Sequence, residues 1–246
     1  MNKDNKHIKR AVVLFSLSPG KEAQSKKITN DLQTNSVLLK SLFDNTVDML
    51  QLARRQTVFD LIISSSDNKL SGKFLTIKQR GNNFDERFKN ILSDVFTNNY
   101  DEVIIVGNDS PGLTPALIQQ AFDHLNSKNA VIGPSADGGF YLLGLKRNDG
   151  NIFNNIEWFS SKVFNQVTDN LQQAHFSFTT LPKLNDIDSF NDLVEWVSKC
   201  ETENLLFCLI LKNILSTYIL FVSIYSVTFI SIESYRRIWQ KPPPVI

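Results

Sequence analysis

The sequence predicts an α/β fold built on a mainly parallel sheet with helices on both faces. Two observations carry that reading. Short apolar runs rich in β-branched residues alternate with segments of helical spacing along the first 200 residues, the pattern of strand–helix–strand units. Several of these runs also end in a polar turn bearing glycine or proline, as buried strands of open sheets do. The best-defined unit is Tyr100–Gly144. Val103–Val106 and Ala130–Ile132 read there as buried strands, and Pro115–Leu125 reads as the helix between them. Thr114 fits an N-cap, with proline at the first helical position.

Taken in order, Ala11–Leu17 is the first strand, and Ser18-Pro19-Gly20-Lys21 is the loop after it. Glu22–Leu52 is mostly helical, in two pieces. Phe59–Ser64 is a second strand and Phe74–Ile77 a short one leading to Gln79-Arg80-Gly81. Asn82–Phe96 carries a helical stripe through Phe84, Phe88, Ile91, Leu92 and Val95. After the central unit, Phe140–Leu145 is a strand. Phe153–Leu171 holds a loop with Trp158 and then a helix. Phe176–Leu181 is the last strand, and Ser189 caps a closing helix over Phe190–Lys199. Residues 1–200 are thus expected to form one domain, and a core can be buried in a chain of that length.

Residues 205–232 differ in kind. This stretch is strongly apolar, with Lys212 as its one charge, and 213–232 is uncharged over about the length that crosses a bilayer. Two readings stand: a transmembrane helix, or a hydrophobic helix docked on the domain. Residues 233–246 form a basic, proline-bearing tail, with aromatic and basic side chains suited to a membrane interface.

The net charge of +1 advertises no field for nucleic acid. The two cysteines, Cys200 and Cys208, stand late in the chain, suit a reducing compartment and show no metal-ligand or pairing pattern. The apolar run after the basic start is too short for a signal-peptide core. A cytoplasmic protein is expected, anchored to the membrane if the C-terminal helix spans it. The three histidines are scattered, and there is no GxSxG elbow or GxxxxGK[ST] loop.

Ligands of open parallel sheets bind beyond the carboxyl ends of the strands, and two carboxylates fall there: Asp109 and Asp137. Asp109 can hold a hard divalent cation, which prefers oxygen ligands, or it can serve as a turn residue. Asp186 and Asp188 follow the last strand. Alternation places both on one side of an extended segment, so a second ligand from here could close a metal site, while Asp188 or Ser189 could equally cap the next helix. In Gly133–Tyr141 the adjacent Gly138 and Gly139 let a ligand approach the backbone, and Asp137 could accept hydrogen bonds from hydroxyls. Lys21, Lys26 and Lys27 lie after the first strand, where phosphates settle. Arg87 could point toward this centre or pair with Asp85 or Glu86.

Together, residues 107–114, 133–144 and 186–189 resemble the poorly characterised bacterial group of the glycosyltransferase-A superfamily related to 2-phospho-L-lactate guanylyltransferase. Residues 81–88 and Trp158-Phe159-Ser160 are similar to further segments of that group, and the resemblance runs from about Ala11 to Trp196. It implies a Rossmann-like sheet of the nucleotide-diphospho-sugar transferase fold that binds a nucleoside di- or triphosphate or a nucleotide sugar. It implies Mg²⁺ or Mn²⁺ at Asp109 with Asp186 or Asp188. Ser135, Asp137, Gly138 and Gly139 would face an acceptor. The loop after the first strand departs from the group's pattern, because its arginine is missing; lysine cannot supply the same bidentate fork. The expected activity is a metal-dependent glycosyl or nucleotidyl transfer with no general base assigned. The alternative is a non-catalytic nucleotide- or sugar-phosphate-binding module.

Overall fold

The computed structural model describes residues 8–66, 74–200, 207–220 and 222–223. Seven strands form one sheet: β1 (Arg10–Phe15), β2 (Asp60–Ser65), β3 (Leu75–Lys78), β4 (Glu102–Val106), β5 (Ala130–Pro134), β6 (Phe140–Leu145) and β7 (Phe178–Thr180). Their order is β3-β2-β1-β4-β6-β5-β7. β1 pairs in parallel with β2 and β4, β2 with β3, and β5 with β7. β6 runs antiparallel to both of its neighbours. The reason is local. Only five residues, 135–139, join β5 to β6, and a parallel crossover needs a dozen or more.

The helices are α1 (Pro19–Ser25), α2 (Leu32–Ala53), α3 (Phe84–Thr97), α4 (Pro115–Leu125), α5 (Val163–Gln173) and α6 (Phe190–Lys199). Strand alternation sorts the core into two layers. Val12, Leu14, Ile63 and Ile104 pack with Leu50 of α2 and Phe122 of α4 on one face. Ala11, Val13, Ile62 and Val103 pack with Leu92 of α3 and Val167 of α5 on the other. The sequence caps hold: Thr114 accepts from the Leu117 amide, and Ser189 forms a reciprocal capping box with Asp192.

Residues 207–220 are helical. Phe207, Leu211, Ile214 and Tyr218 recur at helical spacing and are buried. The first three join a third apolar cluster with Leu38 and Leu39 of α2 and Leu193 and Val197 of α6. Among the described residues no helix is long and apolar enough to cross a membrane. Of the 213–232 span, expected as a transmembrane or a docked helix, the described part 213–220 packs one face on the domain. Residues 205–206, 221 and 224–232, and the expected tail 233–246, lie outside the described residues. The cysteine reading also changes. Cys200 and Cys208 are joined in a disulfide with their Cα atoms 6.1 Å apart, which ties the end of α6 to this helix.

Candidate functional site

Six strands, all but β6, point their carboxyl ends to one edge of the sheet, and the loops that follow β1, β4, β5 and β7 meet there. The loop after β4 delivers Asp109, the β5–β6 turn delivers Asp137, and the segment after β7 delivers Asp186 and Asp188. These loops are stitched by backbone bonds. The Ile187 amide donates to the Asp109 carbonyl at 2.8 Å, and the Leu184 amide to Pro134 at 3.1 Å. Ser135 also bridges to Leu184 in parallel fashion. Ile187, between the two aspartates, is fully buried. That anchor turns both neighbouring carboxyls to the opposite side of the extended segment, as alternation requires.

Asp137, Asp186 and Asp188 can each offer one carboxylate oxygen, and these three atoms lie within 4.8 Å of one another. Asp109 stands beside them through Lys26, whose Nζ is 3.3 Å from Asp109 Oδ2 and 2.5 Å from Asp188 Oδ1. The Ser110 hydroxyl donates to Asp186 Oδ1. The oxygens match the chemistry of a hard divalent cation, which takes carboxylates and retains waters for the remainder of its shell.

The electrostatics follow from crowding acids in a half-buried place. Burial, then the nearby Asp109 charge, pushes the Asp186 carboxyl up to about 7, against the lowering effect of the Ser110 hydrogen bond. Burial also raises Asp188, although Lys26 opposes it. For Lys26, burial favours the neutral amine but is outweighed by Asp109, Asp188 and Glu22, so its pKa rises and it stays an ammonium. Glu22 is buried behind it and raised by that burial. It accepts a hydrogen bond from Asn108 Nδ2 at 2.9 Å, which fastens α1 to the loop after β4.

The glycine-bearing turn is shaped by its own side chain. Asp137 accepts from the Gly139 amide at 2.9 Å and from the Ser135 hydroxyl. Gly138 has φ +94, and a Cβ there would lie 2.2 Å from the Ser161 carbonyl. No other residue type fits without moving one of the two loops. The Phe164 amide donates to Gly138 O at 2.8 Å, so α5 and its preceding loop brace the turn. In that loop Trp158 Nε1 donates to Asp85 at 2.9 Å.

A cleft of about 1180 Å³ opens beside the carboxylates. Asp44, Asp48 and Leu52 of α2 line it, with Trp196 of α6 and Ile210 of the C-terminal helix on other walls.

The sequence-predicted residues therefore divide. Asp186 and Asp188 stand with Asp137, which sequence reasoning sets on the acceptor instead. Asp109 joins the group through Lys26. Ser135, Gly138 and Gly139 surround Asp137. Lys21 and Lys27 are exposed, and of the three lysines Lys26 reaches the carboxylates. Arg87 does not pair with its sequence neighbours: its Nε is buried without a partner among the described residues. Sequence reasoning missed Glu22 and Asn108. Their signal was weak, a lone acid four residues before Lys26 and an amide beside Asp109.

The mainly parallel seven-stranded sheet resembles the nucleotide-diphospho-sugar transferase fold. A crystal structure from Desulfovibrio desulfuricans G20, provisionally named a nucleotide-diphospho-sugar transferase, is similar with TM-score 0.75 and 22% identity. The match covers 86% of this chain and 99% of that one. The bifunctional IspDF of Campylobacter jejuni is similar with TM-score 0.50 and 10% identity, over 76% of this chain and 54% of that chain. Residues 42–160 match a family described as an uncharacterized protein conserved in bacteria (DUF2064). No curated protein matches the sequence.

Proposed function

We propose that this protein is a metal-dependent transferase that acts on an activated nucleotide, by glycosyl or nucleotidyl transfer. One observation carries the reading: carboxylates from three separate loops converge at the carboxyl edge of the sheet, around one lysine and beside a large cleft. Concentrating unlike-sequence acids in one half-buried place is costly, and such costs cluster at functional sites.

Asp137, Asp186 and Asp188, with Asp109 close by, would hold Mg²⁺ or Mn²⁺. When bound, such an ion offsets charge on phosphoryl oxygens. The chain's own residues do the rest. Lys26, assisted by the exposed Lys21 and Lys27, offers positive charge to the phosphates. Ser135 and the glycines 138 and 139 leave backbone accessible to an acceptor in the adjoining cleft. Catalysis then rests on positioning and on preorganised charge. Calorimetric titration with nucleoside triphosphates and nucleotide sugars, with and without Mg²⁺, tests this. Binding that needs the ion and is lost in Asp109→Ala supports it.

A second reading has a specific observation in its favour. Lys26 already neutralises part of the acidic group, as it would in a nucleotide- or sugar-phosphate-binding module with no catalytic ion. Nucleotide binding indifferent to Mg²⁺ and to Asp109→Ala would select that reading.

A further inference from the structure

We infer that Lys26 is a resident counter-ion that a divalent cation must displace, so that the cation binds tightly only in company with a polyphosphate. This rests on the metal site proposed above and goes beyond it to the order in which the site fills.

The ammonium sits on a carboxylate the ion would need. Lys26 Nζ is 2.5 Å from Asp188 Oδ1, and Asp188 is one of the three carboxylates gathered within 4.8 Å. It also lies 3.3 Å from Asp109 Oδ2. A dication on the same carboxylates would sit against an ammonium a few ångströms away, in a half-buried place where screening is weak. The two cations compete for one seat.

Lys26 cannot withdraw by moving its loop. Its amide donates to Glu22 O at 2.8 Å, and its carbonyl accepts from Asn35 Nδ2 at 2.7 Å. Asn35 is itself buried and holds the Ile28 amide at 2.9 Å. The backbone is therefore pinned on both sides, and only the side chain can turn. A displaced ammonium stays within its four-carbon stem's reach of the acidic group. A polyphosphate bound beside the ion supplies the partner it then lacks, since lysine binds phosphate as a mobile point charge. In the absence of phosphate, displacement leaves the ammonium with Glu22 alone among its former acidic neighbours, which opposes entry of the ion.

The test is Mn²⁺ binding at pH 7.5, read by the loss of the free-ion electron paramagnetic resonance signal, with inorganic tripolyphosphate as the phosphate probe. Wild type should bind Mn²⁺ weakly alone, and a protein-bound ternary signal should appear with tripolyphosphate. Lys26→Met should bind Mn²⁺ alone at least about tenfold more tightly. Lys26→Arg keeps the charge and grips two carboxylates with a planar fork, so it should bind Mn²⁺ severalfold more weakly than wild type. The two variants thus move in opposite directions, and the arginine variant keeps the site neutralised should the methionine variant fold poorly. If Lys26→Arg and any folded Lys26→Met bind Mn²⁺ within twofold of wild type, the inference is overturned while the metal site stands. If no form binds Mn²⁺ with tripolyphosphate present, the proposed function fails and takes the inference with it.

Discussion

Replacing Asp186 by asparagine should make the metal-free protein more stable at alkaline pH while abolishing cation binding. In the folded protein the Asp186 carboxyl titrates near 7, against an ordinary value of 3.8. Below the ordinary value both folded and unfolded states are protonated, and nothing is lost. Between that value and about 7 the unfolded chain gives up its proton while the folded one keeps it, so stability falls as pH rises. At about 1.4 kcal/mol per unit the full shift is worth roughly 4 kcal/mol above neutrality. Water in the adjoining cleft and relaxation of Asp109, Asp137 and Asp188 reduce that, and about 2 kcal/mol is a fair expectation. For a domain of this size the melting temperature of Asp186→Asn should exceed that of wild type by roughly 4–8 °C at pH 8 in EDTA. The two should converge near pH 4. Asn retains an oxygen to accept the Ser110 hydrogen bond, so the comparison isolates the charge. Differential scanning calorimetry between pH 4 and pH 8 measures it, and Mg²⁺ added with tripolyphosphate should raise wild type alone. An asparagine variant that melts at or below wild type at pH 8 in EDTA would refute the reasoning.

Three further outcomes follow from the geometry. Gly138→Ala must place a Cβ against the Ser161 carbonyl at φ +94, and should cost about 2–4 kcal/mol from backbone strain and overpacking, read as a lowered urea midpoint; Gly139→Ala, whose Cβ would stand 3.1 Å from Ser135 Oγ, should cost far less. Reducing the Cys200–Cys208 bond should remove about 2–3 kcal/mol by the chain-entropy account and loosen the helix around the already exposed Lys212, so that limited proteolysis with trypsin cuts there faster with dithiothreitol than without. Leu211→Asp puts a charge where the side chain is fully buried against the domain, and should release residues 207–220 from it, seen as faster amide exchange there than in β4.

Much of the fold could be read from the residues because local signals agreed with one another. Thr114-Pro115 and Ser189 with Asp192 mark helix starts by side-chain chemistry alone, and both helices begin where those residues stand. The direction of β6 could not be read from its apolar pattern, since a buried strand looks the same in either sense. The signal lay in the five residues before it, too few for a crossover. Phe207, Leu211, Ile214 and Tyr218 show the same limit for the tail: total hydropathy favoured a bilayer, while their spacing marked a face for docking. At the site, alternation did place Asp186 and Asp188 together. Asp137 joins them through the Ser135–Leu184 bridge, a tertiary pairing that no local pattern encodes. Choosing Lys26 over Lys21 and Lys27 likewise required the fold, because charge alone cannot rank three lysines in seven residues.

The position of a bound divalent ion is the most direct test of the proposed metal site. Crystals soaked in MnCl₂ with a nucleoside triphosphate, and measured at the manganese absorption edge, should show an anomalous peak bounded by Asp137, Asp186 and Asp188, with the Lys26 ammonium turned toward phosphate. A peak elsewhere, or nucleotide bound in the cleft with Lys26 still seated on Asp188 and no manganese among the carboxylates, would contradict it.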